Sequence, residues 1–467
     1  MNSEVEKIIV MSEKESEIRI AILENGELVE LFFEDIEEAS IMGNIYLGRV
    51  ENVIPSLEAY FVNIGTGKNA FLRFKDVQKG TTLNKGSKVL VQVKKDPRDG
   101  KGAQITTFVN LVGRYVIYLP FKKVIGISRK IADPGERQRL RKLGKTLTKH
   151  GGVIFRTLSE GIGDSVIIQE FEELVEKWEE IVKKFKRLKK PRLIHEKPDL
   201  ISYIMRERCD NAVKEIVYDS LEIGDKLIKL REKMGLDFKM RIIDSDAFEI
   251  FNIYSQMEEL LGRVVSLPSG GNIVVDHTEA MTVIDVNTAS NVTGYNLDEA
   301  AHRTNLEAAK EIARQLRLRN IGGIILVDFI RGDAGTVNEE EYVDILEREA
   351  TRDKGKVRIE GFTKLGLLEI TRKRTKRSLD ASLTIRCPIC MGTGRVISPK
   401  MIYMKLLKEL KRYRNDGKIG KVKINVFQNL SGYLLPAEIR RLERELGKKL
   451  EVRFTYRDPR GYEISVE

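Results

Sequence analysis

At 467 residues the chain is too long for one hydrophobic core and divides into roughly three to four domains of ordinary size. Its 81 Lys and Arg against 70 Asp and Glu give a net charge of +11, which suits a polyanionic partner; with 32% of residues charged, a surface dense in ion pairs explains it equally. Three cysteines (Cys209, Cys387, Cys390) exclude a disulfide framework, the first residues form no basic and apolar leader, and no apolar run approaches the ~18 residues of a membrane span, so a cytoplasmic protein is expected. The four histidines fall in no metal spacing, which argues against catalysis by a histidine pair.

The chain opens with two short strands, Ile18 to Leu23 and Leu28 to Phe33, around Glu24-Asn25-Gly26-Glu27, a sequence suited to a hairpin turn. From Gly43 five short strands follow at close spacing, at 44–50, 59–64, 70–74, 88–94 and 103–109, the pattern of a small barrel such as an OB fold. On it Phe61 and Phe71, with Lys101 after Asp99-Gly100, would offer stacking rings and a cation to single-stranded nucleic acid. The alternative is that the phenylalanines are core, the commoner fate of Phe in a strand.

Residues 113–200 hold a basic segment, Gly126-Ile127-Ser128-Arg129-Lys130, and a glycine-rich strand that delivers Arg156 and Thr157 side by side. A guanidinium fork beside a hydroxyl suits a terminal phosphate, and a solvated strand end accounts for the pair as well. A charged helix over 171–192 ends in the basic run Lys183 to Arg192, either a phosphate contact or a solvated face. Residues 201–262 alternate helix and strand and are expected to rejoin the opening hairpin; a helix over 203–211 carries Cys209, read as an inert thiol.

A hairpin at 264–276 leads into the stretch 281–333, which reads as strand, helix, strand. Asp285 interrupts the apolar run Met281-Thr282-Val283-Ile284, and alternation puts Asn287 on its face; Asp328 ends the second run, Gly322 to Val327. Leu306, Ala309, Ala313 and Leu316 recur at helical spacing between them, so one amphipathic helix joins the strands. An unpaired carboxylate among valines and isoleucines costs several kcal/mol, and two such residues at one sheet end ask for a shared partner, of which Mg2+ is the obvious one. The plainer reading is that each Asp ends its strand and caps the next turn. His277, at a strand end, is read as structural.

An acidic helix over 339–352 and a strand at 357–360 precede Leu367 to Arg377, in which five of the last six residues are basic, a candidate phosphate contact. Cys387-Pro388-Ile389-Cys390 supplies two thiolates, half of a tetrahedral zinc site, which neither Cys209 nor a nearby histidine completes. A basic helix, a strand at 421–427, a helix at 436–446 and a final strand at 450–456 form a small α/β end domain.

Together Thr282 to Thr288, Thr304 to Ala309, Ile312 to Arg319, Val327 to Ile330 and Cys387 to Cys390, in this order, make the sequence resemble the RNase E/G family of bacterial endoribonucleases over nearly its whole length. The resemblance implies a multidomain α/β chain. An RNase-H-like domain in two parts (1–35, 201–262) would flank an OB-fold RNA-binding domain (36–112) and a 5′-phosphate sensor region (113–200). A DNase-I-like catalytic domain (263–383), a zinc link (384–397) and a small C-terminal domain (398–467) would follow. It implies that Asp285 and Asp328 hold Mg2+ while Asn287 positions the scissile phosphate or attacking water, and that Phe61, Phe71 and Lys101 line a channel for RNA. It further implies that Gly113, Arg129, Arg156 and Thr157 read a 5′-monophosphate, and that Cys387 and Cys390 share one Zn2+ with a second copy, giving a homodimer that could pair into a homotetramer.

The implied activity is Mg2+-dependent cleavage of single-stranded RNA, stimulated by a 5′-monophosphate and leaving 5′-phosphate and 3′-hydroxyl ends, in rRNA processing and mRNA decay. The competing reading is a non-catalytic RNA-binding protein. Lys356 stands where the family's Arg reaches the 5′-phosphate, and Lys cannot form that bidentate fork. Arg331 follows the Asp328 motif where some members carry an acid, which removes it as a catalytic candidate. With no long scaffold tail after the small domain, the short, ribonuclease G type is expected.

Overall fold

The computed structural model describes residues 6–35, 40–97, 100–288, 297–331, 339–353, 355–373, 378, 379, 383–385, 387–414, 419–456 and 461–467. It separates into two units, 1–375 and 376–467. Asp99, Asp333 and the basic residues Arg374, Lys376 and Arg377 lie outside the described residues.

The opening hairpin forms as its sequence dictates. Strands Glu17–Glu24 and Glu27–Asp35 meet at Asn25 and Gly26, with φ of 52° and 85°, the left-handed pair that a tight hairpin requires. The sequence reading missed the strand before it, Lys7–Lys14, which pairs antiparallel with Glu17–Glu24 and parallel with Val213–Tyr218. The result is a five-stranded sheet in which the hairpin and residues 213–242 lie together. Helix Leu200–Glu207 packs Ile201, Ile204 and Met205 against Ile9, Met11 and Ile22 of this sheet. The helix ends two residues before Cys209, so the expectation that this thiol is helical is corrected; it is buried in the same core.

The expected barrel closes. Strands Ile45–Ile54, Ala59–Asn63, Ala70–Arg73, Gln104–Thr106 and Lys88–Lys95 pair in that order, and the last returns to the first. Alternation sends Val50, Val62, Leu72 and Val91 inward. A sixth strand, Arg192–His195, adds to the outside of Ile45–Ile54. The long charged helix runs Asp164–Arg187 rather than to residue 192, because Pro191 bars helical continuation and the chain turns extended at Leu188. That helix and Pro134–Leu147 belong to the core of a four-stranded sheet built from 111–112, 116–119, 125–127 and 152–155.

A six-stranded sheet holds the central stretch. Its order is Val264–Ser266, Asn272–His277, Met281–Asn287, Gly323–Asp328, Leu367–Arg372 and Val357–Phe362. Only Met281–Asn287 and Gly323–Asp328 run parallel, as the intervening helix Leu297–Leu318 requires. That helix and Glu339–Ala350 cover one face through Ala308, Ile312, Leu316, Tyr342 and Leu346 against Ile284, Val286, Ile325 and Val327. Arg314 Nη1 donates to Leu28 O at 2.9 Å, and Arg317 grips Glu24 with two bonds of 3.1 and 3.2 Å, fastening the helix to the opening hairpin.

The second unit is a three-stranded sheet, Lys449–Thr455, Lys421–Phe427 and Tyr462–Val466, with helices Pro399–Leu410 and Pro436–Leu446. Its last strand is therefore 462–466, not 450–456; Tyr462 and Ile464 pack on the same core as Val422 and Ile424.

Candidate active site

Asp285 and Asp328 are register partners across the parallel pair, so their Cα atoms stand about 4.8 Å apart at the carboxyl ends of their strands. Ile284, Val286 and Val327 point into the helix-covered core, and both aspartates therefore face the other way, where Asp285 is exposed. Asn287 shares that face: its Nδ2 donates to Asp285 Oδ2 at 3.1 Å and to Asn272 Oδ1 at 3.4 Å. Among the described residues neither aspartate is ion-paired to a Lys or Arg. No cluster of three or more His, Cys, Asp or Glu is found among them. Two hard carboxylates with open neighbours suit a cation that keeps much of its water, as Mg2+ does.

The chain after Asp328 is anchored on both sides. Phe329 stacks on Tyr342 with ring centroids 5.1 Å apart. Asn305, 1% exposed, holds the next residue with both ends of its amide, Nδ2 donating to Ile330 O at 2.8 Å and Oδ1 accepting from Ile330 N at 3.0 Å. Asn272 and Asn305 were not singled out from the sequence as site residues. Asn305 had a signal, since it lies inside the quoted Thr304 to Ala309 motif; Asn272 had none before the strands were aligned. His277, as expected of a structural residue, bonds Thr282 Oγ1 through Nδ1 at 3.0 Å.

A second constellation lies at the four-stranded sheet. Arg156 Nη1 donates to Gly113 O at 2.5 Å and Nη2 pairs with Glu207. Thr157 is exposed, and its hydroxyl bonds Ser128 at 2.9 Å, one residue from the exposed Arg129. Gly113, Arg156 and Thr157, and the segment of Arg129, are thus brought together. Burial works to raise the pKa of Glu207, but the hydrogen bond and charge of Arg156, with Arg206 beside it, hold the carboxyl below its ordinary value. Gly113 is glycine because Glu170 crosses beneath it: a Cβ there would lie 2.6 Å from that carboxylate, which accepts from the amides of Arg114, Tyr115 and Val116. Lys130 reaches across to Thr351 O and Asp353 O at 3.2 and 2.9 Å.

Arg372, one of the basic residues expected to face phosphate, instead lies buried in its strand. It bonds Asp353 at 2.7 and 3.2 Å and Ile321 O at 2.9 Å, so it is structural. Lys373 and Lys356 remain exposed beside it.

Comparison with known proteins decides the class. The model of the Ribonuclease E/G family matches residues 110–375. Ribonuclease G of Escherichia coli K12 is 33% identical over 424 residues, covering 85% of this chain and 86% of that protein. Ribonuclease G of Haemophilus influenzae is 31% identical over 95% of this chain and 96% of its own length. Ribonuclease E of the same organism is 34% identical over 92% of this chain but only 48% of its own. The chain belongs to the ribonuclease E/G family. It is an endoribonuclease, a hydrolase of phosphodiester bonds.

In this ribonuclease E/G family member the barrel rings are not core. Phe61 and Phe71 are cross-strand partners on the outer face, half-buried, with centroids 5.8 Å apart in an edge contact. Lys101 is exposed, three residues before Gln104, the register partner of Phe71. In the second unit Cys387 and Cys390 lie on a tight turn, with Met391 N donating to Cys387 O at 2.8 Å. The amides of Gly394 and Gly392, then the thiol of Cys387, hold the Cys390 thiol below its ordinary pKa. Zinc binds cysteine as the thiolate, the form that these amides favour at Cys390. No described helix is long and apolar enough to cross a membrane.

Proposed function

We propose that this endoribonuclease cuts single-stranded RNA with Mg2+ held by Asp285 and Asp328, giving 5′-phosphate and 3′-hydroxyl ends. The observation that carries the reading is the register pairing of two uncompensated carboxylates at the ends of parallel strands. Mg2+, when bound, supplies charge neutralisation at the phosphate and a water of lowered pKa. The protein's own part is positional. Asp285 and Asn272 fix the amide of Asn287 through its two N–H groups, which leaves Oδ1 to accept from the attacking water; contact with the scissile phosphate requires one of those two bonds to open. Asn305 and Phe329 fix the backbone that carries Asp328.

On the same reading the strand of RNA stacks on Phe61 and Phe71 with Lys101 on its backbone. A 5′-monophosphate that stimulates cleavage docks at Gly113, Arg129, Arg156 and Thr157. Cys387 and Cys390 share Zn2+ with a second copy in a homodimer. The sheet of 7–35 and 213–242 takes the part of the RNase-H-like domain, and the sheet of 264–372 that of the DNase-I-like domain. The cellular roles that follow are rRNA processing and mRNA decay. The test is cleavage of a single-stranded RNA labelled at its 5′ end, across a Mg2+ titration, with the product ends mapped enzymatically. Metal-independent cleavage, or products with 5′-hydroxyl ends, would remove the reading.

A further inference from the structure

The run Lys183 to Arg192 carries seven basic residues and no acid, and the site described above uses none of them. The end of helix Asp164–Arg187 and the start of strand Arg192–His195 enclose a surface cavity of about 330 Å3, lined by Lys184, Arg187, Leu188, Arg192, Leu193 and Ile194. All three cations are exposed, and none is ion-paired with an acid among the described residues. The rest of the lining is apolar, and Leu193 stays 38% exposed. Burial pushes the pKa of nearby His195 down to about 4, with the charge of Lys177 and then that of Lys184 adding to it.

This cavity is joined to the aromatic pair of the barrel. Arg49 is the register partner of Asn63, two residues from Phe61 on the same strand, and Lys88 is in turn the partner of Arg49. Strand alternation puts Phe61, Phe71, Arg49 and Lys88 on the outer face, opposite the inward Val50, Val62 and Leu72. Arg49 Nη2 then bonds Lys189 O at 3.1 Å; Lys88 Nζ donates to Phe185 O and stands 4.4 Å from the centre of the Phe185 ring. Rings, then two cations, then a cationic cavity with an apolar lining form one path.

We propose that the cavity is a second RNA subsite, which takes a nucleotide of the same single strand that stacks on Phe61 and Phe71. Its phosphate meets Lys184, Arg187 and Arg192, and its base or sugar lies on Leu188 and Leu193, while Arg49 and Lys88 carry the backbone between. The apolar lining selects a nucleotide over a bare anion, and the volume lies at the low end of ligand pockets, about 300–1,000 Å3. The proposal rests on the reading of the Phe61 and Phe71 pair as RNA-facing.

Binding of 5′-hydroxyl oligouridylates of about four and about sixteen nucleotides, the span of single-strand sites on such barrels, tests it with Mg2+ omitted. In the full chain, Lys184→Gln, Arg187→Gln and Arg192→Gln together should weaken the longer oligomer about tenfold or more and lower its salt slope by about 0.7, the share of the one phosphate they hold. Affinity for the shorter one should not change. A charge-matched control, Arg141→Gln, Lys142→Gln and Lys145→Gln on the exposed side of helix Pro134–Leu147, should leave both unchanged. Thermal melts check folding, and Arg187→Glu alone repeats the measurement should the triple variant melt early. Unchanged affinity for the longer oligomer, an equal loss for both lengths, or the same loss in the control would overturn the subsite. Phe61→Ala separates the two readings: it should weaken the shorter oligomer. If it does not while the triple variant does, the aromatic pair is not the first contact and the path fails with it.

Discussion

Asp285 and Asp328 differ from every other acid near the sheet in having a carboxylate directly across the ladder and no described cation beside them. Replacement by Asn keeps the shape and removes the charge, so Asp285→Asn and Asp328→Asn should each lose several kcal/mol of transition-state stabilisation while RNA affinity stays nearly intact. Single-turnover cleavage beside a binding titration measures both, and turnover near the parent's by either variant would end the assignment. Arg156 is a different case, because its guanidinium already holds Glu207 and the Gly113 carbonyl. Arg156→Ala should remove most of any preference for 5′-monophosphate over 5′-hydroxyl RNA, a charge-assisted contact of about 1.5–3 kcal/mol. Glu207→Gln weakens the competing pair and should enlarge that preference; a rate ratio unmoved in both variants would place the pocket elsewhere. Glu207 also carries a stability signature. Its folded pKa lies below the ordinary 4.5, so the stabilisation it gives is fully present above that value and is lost as pH falls through the folded one. Urea melts between pH 6 and the acid limit should show Glu207→Gln losing stability less steeply on acidification than the parent, by about 1–3 kcal/mol in all.

At the scale of elements, the strands that carry Asp285 and Asp328 depend on helix Leu297–Leu318 for more than its apolar stripe. Leu306 and Ala313 are only partly buried, whereas Thr304, Asn305, Gln315 and Arg319 lie in the interior. Periodicity therefore finds the helix and misses the polar contacts that aim it. Asn305→Ala would strand the amide and carbonyl of Ile330, at a cost of about 1–3 kcal/mol in stability. Cleavage should fall further than stability explains, because Ile330 lies two residues beyond Asp328. A denaturant melt paired with the Mg2+ concentration that gives half-maximal cleavage checks it: a melt shift with an unchanged metal midpoint would make Asn305 a packing residue only. The basic cluster at the end of strand Leu367–Arg372 divides in the same way. Arg372 turns inward to Asp353 while Lys373 stays outside, a split that charge counting does not make.

At the scale of the whole molecule, the zinc site proposed at Cys387 and Cys390 would draw two ligands from this turn where a structural zinc takes four. Cys209 is buried beneath the first sheet, bonded through its carbonyl to Arg114, and is no candidate for a third. A second copy is the simplest donor, with a two-fold axis through the metal. Metal analysis and mass in solution should then find half an equivalent of zinc per chain and a dimer at least. Cys387→Ser with Cys390→Ser should shift the protein towards monomer, since the metal's binding energy is part of association. One zinc per monomer, or an unchanged dimer without the thiols, would refute sharing.

The sequence by itself determined most of the elements, though not strand Lys7–Lys14 or the closing strand Tyr462–Val466, and marked the candidate site residues. Alternation around Asp285 and Asp328, the Asn25-Gly26 turn, five short strands with glycine-rich joins and the Cys-Pro-Ile-Cys turn are all local, and local sterics with a period of two or 3.6 settle them. What the tertiary structure decided was pairing. The carboxylates face each other only because the register aligns residues 43 positions apart in number, 285 with 328. Arg156 is held by Glu207, Arg317 by Glu24 and Arg372 by Asp353 only because separate stretches of the chain fold together. A charged side chain has the same propensity whether it meets water, RNA or a buried partner. Its neighbour through space fixes which, and that neighbour is a property of the fold.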